Sequence, residues 1–356
     1  MQKIIKGTLT GRLPFLFMAL AVALPQVGVQ AQEEKQLQGS EVSIYNLAGR
    51  VEVVPGTGSD VSVEIVRGGR DARMLEVDVR EVRGRQALIV SYPEDEVVYP
   101  ELGRGSRTQI RVFDDGTFGD SDSRGRREVQ IRGSGDGMEA WADLRIRVPR
   151  GKDVAVYLAV GETEVGAVEG DLLIDTGSGA VDARGGSGSL NVDTGSGAVT
   201  VGDFRGDLSV DTGSGEVQIS GIQGGDVSVD TGSGAVKGTG VGASYFKVDT
   251  GSGEISLSGV SAPEIYLDTG SGRVELELLE DVDELVVDTG SGAVTIRVPA
   301  NLGAEVEVDT GSGGIDVTVP LEIREVKRNY MRGILGDGRG SITVDTGSGG
   351  VRLIRG

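Results

Sequence analysis

The stretch LSVDTGSGEVQI, which runs from Leu208 to Ile219, contains the pattern that decides the fold of this chain. At its centre is the pentapeptide DTGSG, and on each side of it aliphatic and polar residues alternate. Strict alternation is typical of a strand with one buried face, because successive side chains of a strand point to opposite faces of the sheet. The stretch therefore predicts two half-buried strands joined by a DTGSG turn.

The pentapeptide occurs nine times, and alternating aliphatic residues flank almost every copy. The copies follow one another at intervals of 18 to 21 residues, except the last, which follows after 36. A unit of this length cannot bury its own apolar face, but a stack of equivalent units can. The copies begin at Asp175, Asp193, Asp211, Asp230, Asp249, Asp268, Asp288, Asp309 and Asp345.

We therefore predict an all-β protein whose repeats form a parallel β-solenoid, with rungs of 18–21 residues and two strands per rung. We expect a right-handed coil, because crossovers between parallel strands are almost always right-handed. The alternative is a meander of antiparallel hairpins. It would not place equivalent side chains on one another, and it leaves the near-constant period unexplained.

Each residue of the motif has an expected role in the turn. The aspartate is expected to accept a hydrogen bond from the amide two residues further on. The two glycines are expected to allow positive φ at the corner. The threonine continues the alternation, so we expect it to face inward, with its hydroxyl bonded to a turn amide or to its stacked neighbour.

The first residues predict a secretory signal peptide over residues 1–31. Three basic residues precede an apolar run at 13–24, and the small-x-small triplet VQA ends at Ala31. The run is shorter than the roughly 20 residues of a membrane-spanning helix, which makes a membrane anchor the less favoured alternative. We expect an exported protein, whether periplasmic, cell-surface or secreted, without stable membrane insertion after cleavage.

Three further regions are predicted. Residues 32–101 contain alternating segments and predict a β-rich N-terminal region or cap. Residues 102–138 are rich in Gly, Arg and Asp, which indicates a mobile insertion with two short strands. Residues 139–356 form the repeat region, with a loop insertion at about 321–340. Within it, 321–335 is the one stretch of mixed helical character, which predicts a surface loop or a short helix.

Composition excludes several classes of function. The formal net charge is −20, and removing residues 1–31 takes away three basic and no acidic residues, which makes it −23. Such a surface repels nucleic acid, so we expect no nucleic-acid partner and favour basic ones. Histidine and cysteine are absent, which excludes imidazole-based triads, histidine metal sites and disulfides.

Three features resemble a known family. They are the opening GSEVSIYNLAGRVEVVPGTGSDVSVEIV (39–66), the V-D-T-G-S-G-x-V-x-V units and the ending GDGRGSITVDTGSGGVRLIRG (336–356). They resemble the bacterial putative-adhesin family of β-strand repeat proteins, a domain-of-unknown-function group related to the head-GIN auto-transporter adhesins. The resemblance covers residues 40–356 apart from 102–138. It implies export, a β-solenoid and adhesion, and it supplies no catalytic residues.

Two catalytic hypotheses are weaker than a binding role. The segment DTGS at 211–214 matches the motif around the catalytic aspartate of aspartic proteases, but that chemistry needs two aspartates sharing a proton within one cleft. A polysaccharide-active β-helix enzyme would need one rung that departs from its neighbours, and the outward residues after the motif show no acid pair. A groove beside 102–138 lined by paired acids would favour it. We predict that the chain is not an enzyme.

A calcium site is the candidate metal site. The nine aspartates named above would form a ladder along one corner of the stack, and calcium prefers several carboxylate and carbonyl oxygens. A structural role in the turn is the favoured alternative, so no cofactor is expected other than calcium. The sequence as a whole predicts an exported, non-catalytic adhesion or scaffold module that binds a surface glycan or an envelope protein. A calcium-binding structural envelope protein is a further alternative, and the oligomeric state is open.

Overall fold

The computed structural model describes residues 32–119 and 126–356. Over these residues the chain is all-β, as the sequence predicts, with 33 strands and two three-residue 3-10 helices, Ala72–Met74 and Pro100–Leu102. In the same two ranges no helix is long and apolar enough to cross a membrane. The predicted signal peptide, 1–31, lies outside the described residues.

In the described residues thirteen strands precede the first DTGSG copy. They are β1 (Gln32–Leu37), β2 (Glu41–Ala48), β3 (Val51–Pro55), β4 (Val61–Gly68), β5 (Glu76–Val82), β6 (Arg85–Ser91), β7 (Glu96–Val98), β8 (Arg107–Phe113), β9 (Arg126–Arg132), β10 (Met138–Glu139), β11 (Trp141–Val148), β12 (Lys152–Val160) and β13 (Thr163–Val165).

Each DTGSG copy has a leading strand before or through it and a trailing strand after it. The leading strands are β14 (Glu169–Ser178), β16 (Ser187–Ser196), β18 (Arg205–Thr212), β20 (Asp226–Thr231), β22 (Tyr245–Thr250), β24 (Glu264–Thr269), β26 (Glu284–Thr289), β28 (Ala304–Thr310) and β32 (Gly340–Thr346). The trailing strands are β15 (Val181–Arg184), β17 (Val199–Gly202), β19 (Val217–Gln223), β21 (Val236–Gly242), β23 (Ile255–Ser261), β25 (Val274–Leu278), β27 (Val294–Val298), β29 (Ile315–Val317) and β33 (Val351–Arg355). Two more strands, β30 (Leu321–Val326) and β31 (Tyr330–Leu335), lie between the last two copies.

Equivalent strands of neighbouring copies pair in parallel and in register, aspartate beside aspartate and threonine beside threonine. The leading strands continue into β12, β2 and β6 at one end of the series, and the trailing strands continue into β13, β3 and β11. Two long series of strands result, and they share one hydrophobic core.

The last two copies are not stacked in chain order. The strands of the final copy, β32 and β33, pair with β26 and β27 on one side and with β28 and β29 on the other. The C-terminal copy is therefore inserted between the seventh and the eighth. This corrects the expectation that each copy lies on the one before it.

The segment 321–335 is an antiparallel hairpin of β30 and β31, and β31 also pairs antiparallel with β28. The expectation of a surface loop or short helix was wrong. Met331 and Leu335 alternate with exposed residues and are buried, so period-two alternation decided this stretch.

The aliphatic residues that alternate around the motif form the core. Val210 and Val217, on either side of the third copy, are at most 1% exposed. A further row comes from the variable turn, where Ile222, Val241 and Val260 are fully buried and stacked in register. Full burial of one such side chain contributes about 1.5–3 kcal/mol. Because each copy buries equivalent side chains, each added copy stabilises the core by an amount similar to that of its neighbour.

The region before the repeats also contains a second, four-stranded sheet of β10, β7, β9 and β8, and β8 and β9 lie in the segment 102–138. The buried ring of Phe118 lies edge-on to Tyr45, at 5.8 Å between ring centroids, and also to Tyr157. Tyr45 and Tyr157 stack on each other at 4.6 Å. The segment thus covers the leading series just before the first DTGSG copy.

Candidate functional site: the aspartate row and the acidic groove

The nine motif aspartates lie side by side along one corner, and we call this set the aspartate row. Neighbouring strands of a sheet are about 4.8 Å apart, which sets the spacing of the row. Aspartic protease chemistry requires a pair of aspartates within one cleft. The row is an open series instead. Its order is Asp175, Asp193, Asp211, Asp230, Asp249, Asp268, Asp288, Asp345, Asp309.

The threonine of the motif faces inward, as expected, and is at most 1% exposed in all nine copies. The Thr269 hydroxyl accepts a hydrogen bond from the Gly272 amide at 3.0 Å and donates one to the Gly253 carbonyl of the neighbouring copy at 3.0 Å. The same pair of bonds recurs at Thr212, Thr231, Thr250, Thr289 and Thr346. A ladder of hydroxyl bonds therefore runs inside the corner.

The second glycine of the motif is required by close stacking. A Cβ atom built on Gly272 would lie 1.7 Å from the carbonyl oxygen of Gly253 in the neighbouring copy, and Gly215 and Gly292 are equally constrained. Among the motif glycines only Gly179 has a positive φ, of 151°. The expectation of positive φ was therefore wrong at every other motif glycine, and close approach of the neighbouring backbone, rather than φ, requires glycine at the second position.

The expected aspartate turn does not form. The amide two residues after Asp211 belongs to Gly213, and it donates to the Thr194 carbonyl of the neighbouring copy at 3.1 Å. The equivalent amide of the next copy, Gly232, donates in the same way to Thr212. Because the ladder between copies uses these amides, the aspartate has no role in closing the turn.

The aspartates face outward, and most are exposed. Burial, and secondarily a neighbouring aspartate, raises the pKa of Asp211, Asp230, Asp268 and Asp345. The Lys247 ammonium lies 3.9 Å from the Asp249 carboxylate and provides local compensation. The row thus keeps negative charge together at some electrostatic cost.

Asp175, at the first end of the row, is in a different environment. It is only partly exposed, and a Cβ built on Gly119 would lie 3.1 Å from its Oδ2 atom. Its neighbour in register on β12 is Tyr157, part of the aromatic cluster beneath Phe118. Burial, followed by the charge of Asp193, raises the pKa of Asp175 to about 6.

Within residues 32–119 and 126–356 no group of three or more acidic side chains is placed to hold a metal ion. The row supplies one carboxylate per copy, so a cation there would lie between carboxylates of adjacent copies. Calcium binding by the nine aspartates stays a prediction.

A groove of about 330 Å³ lies at the N-terminal end of the trailing series, where β4, β11, β3 and β13 are neighbours. We call it the acidic groove, since acidic residues outnumber basic ones in its wall. The wall consists of Arg50, Val51, Glu52, Glu64, Val66, Asp143, Leu144, Arg145, Glu162 and Glu164.

Arg50 connects the acids at one end of the acidic groove. Its Nε atom lies 3.0 Å from Glu101 and 3.9 Å from Glu162, and its backbone amide donates to Asp143 Oδ1 at 2.9 Å. Burial is the largest influence on Asp143 and raises its pKa. Next to this end the ring of Tyr99 lies 5.8 Å from that of Trp141, and the Tyr99 hydroxyl donates to Glu101.

Sequence reasoning missed the acidic groove because its residues come from strands far apart in the chain. The available signal was charge at alternate outward positions, as at Arg50 and Glu52, Asp143 and Arg145, and Glu162 and Glu164. Nothing in these local patterns shows that β11 returns beside β3. The outward residues after the motif, from Asp182 to Arg352, do form the expected row, with Arg352 placed before Asp316.

Comparisons with known proteins identify a family of unknown function. The family model described as Toastrack DUF4097 matches residues 127–353. A solved structure from Bacteroides fragilis, a putative adhesin, is 12% identical with a TM-score of 0.34, over 91% of this chain and 96% of the other. A putative cell adhesion protein from Clostridium sporogenes is 10% identical with a TM-score of 0.17, over 92% and 99%. No curated protein matches significantly.

Proposed function

We propose that this chain, which belongs to the Toastrack DUF4097 family of domains of unknown function, is an exported, non-catalytic adhesion or scaffold module. In this proposal the repeats form a right-handed parallel β-solenoid with two strands per rung. The ligand is a surface glycan or an envelope protein that carries basic groups.

One observation supports the proposal most: an outward-facing aspartate, exposed in seven of the nine copies, recurs at a position where the turn does not need it. The structure gives roles inside the stack to the threonine and to the second glycine, as at Thr269 and Gly272. The aspartates add only mutual repulsion. For two charges about 4 Å apart in water, this repulsion is about 1 kcal/mol. A ligand that neutralises the row offsets this cost.

The chemistry of the row selects a multivalent cationic ligand. One exposed carboxylate per strand, about 4.8 Å apart, suits a partner with several amino or guanidinium groups on an extended chain. Each exposed ion pair contributes little, typically below about 1 kcal/mol. Binding along several copies raises the overall affinity because later contacts form intramolecularly.

The experiment is a binding screen of glycans, amino-sugar polymers and basic matrix or envelope proteins, together with cell fractionation. The row variant replaces four aspartates of the row by asparagine, and the matched variant neutralises four exposed acids elsewhere. Both change the net charge by four, so they separate the row from charge in general. The row variant changes Asp211, Asp230, Asp268 and Asp345, and the matched variant changes Glu254, Glu275, Glu280 and Asp281 to the corresponding amides.

Loss of binding in the row variant, with binding kept in the matched variant, supports the proposal. Surface exposure of the bound protein favours adhesion, and periplasmic retention with an envelope partner favours a scaffold. A protein that stays in the cytoplasm, or binds no basic ligand at low salt, contradicts the proposal.

The acidic groove favours one second candidate, a polysaccharide-active enzyme. The groove lies beside Glu101, next to the segment 102–138, and contains several carboxylates, of which Asp143 has a raised pKa. A glycosidase needs a protonated acid and a second carboxylate about 5–9.5 Å away. Release of reducing ends from a polysaccharide, abolished in Asp143→Asn but not in Asp281→Asn, would replace the binding proposal.

Calcium is the alternative ligand of the aspartate row. If it bridges adjacent carboxylates, calcium should raise the melting midpoint relative to a chelator, and magnesium at equal ionic strength should raise it less. The row variant should lose this difference and the matched variant should keep it. An unchanged midpoint with calcium removes this alternative.

A further inference from the structure

At the end of the stack beyond β28 and β29, both strand series have an edge that is unpaired in the described residues. The leading series ends at β30, which pairs with β31 on one side, and no described strand pairs with its other side. The trailing series ends at β29, whose Ile315 and Val317 are only half-buried. Both series therefore present an open hydrogen-bonding edge at the same end of the stack.

β30 exposes apolar side chains along its open edge. Ile323 is 56% exposed and Val326 is 65% exposed, and they are two of the four large hydrophobic residues that stand out as exposed in the described residues. A strand edge with exposed aliphatic side chains is a template for pairing with another chain. Repeat proteins normally shield their terminal repeat with a polar cap.

We propose that a second copy of this chain covers the edge, with β30 pairing antiparallel with β30 of the other copy about a two-fold axis at Ile323. In this register the two Ile323 side chains face each other. Glu322 faces Arg324 of the other copy, and the two-fold axis makes this pairing twice. Leu321 falls opposite Glu325 in the same register, so the complementarity rests on Ile323 and on the two Glu322–Arg324 pairs.

The same charged residues pair within one copy, and the proposed dimer exchanges the Glu322–Arg324 pair for two equivalent pairs across the axis. Glu322 and Arg324 already lie on one face of β30, 3.1 Å apart, and the Lys327 and Glu325 pair closes the end of the strand at 2.6 Å. A self-complementary edge of this kind gives an isologous two-fold dimer rather than an open filament. One strand pairing is a small interface, so we expect a dimer with a Kd on the order of 10–100 µM.

Sedimentation analysis of the chain from 1 µM to 1 mM, roughly spanning that Kd, tests the proposal. The expected result is a monomer–dimer equilibrium. Glu322→Arg and Arg324→Glu should each weaken the dimer at least about tenfold, because like charges then face each other. Glu254→Arg, a charge reversal at an exposed site away from the edge, should leave it unchanged.

Mixing the two edge variants provides the decisive measurement. Glu322→Arg makes the edge doubly basic and Arg324→Glu makes it doubly acidic, so the mixture should form a heterodimer although neither variant dimerises alone. Unchanged circular dichroism and melting midpoints show that both variants are folded.

Three results would overturn the proposal: a monomer at every concentration, a dimer that ignores both edge variants, or head-to-tail oligomers larger than two. If the chain is a monomer, the bulge at Arg324 and the charges of β30 serve to protect the edge from pairing.

Discussion

At the scale of single residues, the motif separates into an inner and an outer half. Threonine and the second glycine face the neighbouring copy, one through its hydroxyl and the other through the absence of a side chain. Aspartate and serine face solvent, apart from the first copy, where Ser178 Oγ is buried. The inner half thus explains the fold of the corner, and the outer half is available for a ligand.

The threonine ladder predicts a site-dependent cost of removing the hydroxyl. Thr269→Val keeps the shape but leaves the Gly272 amide and the Gly253 carbonyl unsatisfied, at about 1–3 kcal/mol for each buried group. In the described chain the buried Thr194 Oγ1 has no hydrogen-bond partner, so Thr194→Val should be nearly neutral. Urea unfolding measures both, and equal effects would mean that the ladder contributes no stability.

The close approach of the second glycine predicts a large effect of one methyl group. Gly272→Ala places a Cβ 1.7 Å from the Gly253 carbonyl, which forces the two copies apart and should cost at least about 3 kcal/mol. Gly314 has open space around it, so Gly314→Ala should change the unfolding free energy little. A mild effect at Gly272 would show that neighbouring corners can separate freely.

Asp175 predicts a pH-dependent gain on neutralisation. Its folded pKa of about 6 exceeds the unfolded value, so the folded state binds the extra proton and the charged carboxylate destabilises it above about pH 6. Asp175→Asn should therefore stabilise the protein at pH 7.5, by about 1–3 kcal/mol, and the gain should vanish near pH 4. Urea unfolding at both pH values checks this, with Asp281→Asn as the exposed control. A gain that grew at low pH would contradict the assigned cause.

At the scale of strands, the unexpected feature is the position of the C-terminal copy between β26 and β28. Every leading strand contains an aliphatic residue followed by Asp-Thr and offers the same edge, so pairing alone does not distinguish one neighbour from another. The hairpin of β30 and β31 occupies the outer edge of β28 and leaves only its inner edge for the last copy. The connection, rather than the repeat, determines the order.

This insertion predicts the effect of a C-terminal truncation. Removing residues 337–356 deletes β32 and β33, the only parallel partners of β28 and β29 in the described chain. Amides of β28 and β31 should then exchange rapidly, while those of β14 to β20 stay protected, because each copy contacts mainly its neighbours. Continued protection of β28 would mean that it can pair directly with β26.

The sequence predicted the repeat but not the ends of the stack. Alternation identified the inward rows, such as Val210 and Val217, because a half-buried strand leaves a direct trace in its residue types. The acidic groove and the position of β32 depend on which strand lies beside which. Such contacts join residues as distant as Glu52 and Arg145, and no local pattern records them.

At the scale of the molecule, negative charge acts on stability in two ways, over the whole surface and locally within the aspartate row. The net charge of −20 acts over the whole surface, whereas the aspartate row brings carboxylates within about 4.8 Å of one another. At 0.1 M salt the Debye length is about 10 Å, which screens repulsion between distant charges of the surface. Repulsion between neighbouring aspartates of the row is screened only at a much shorter Debye length. The two contributions can therefore be separated by ionic strength.

We predict that raising sodium chloride from about 10 mM to about 1 M, where the Debye length falls from about 30 to about 3 Å, raises the melting midpoint of the unaltered chain. The rise should be smaller in the row variant than in the matched variant, although both lose four negative charges. The four carboxylates removed from the row are in-register neighbours of other aspartates. In the matched variant Glu275, for example, lies in register with Ser256 and Thr295. Thermal melts at several salt concentrations measure this difference. Equal salt dependence in the two variants would show that the row carries no local repulsion, and a cation would then gain nothing special by binding there.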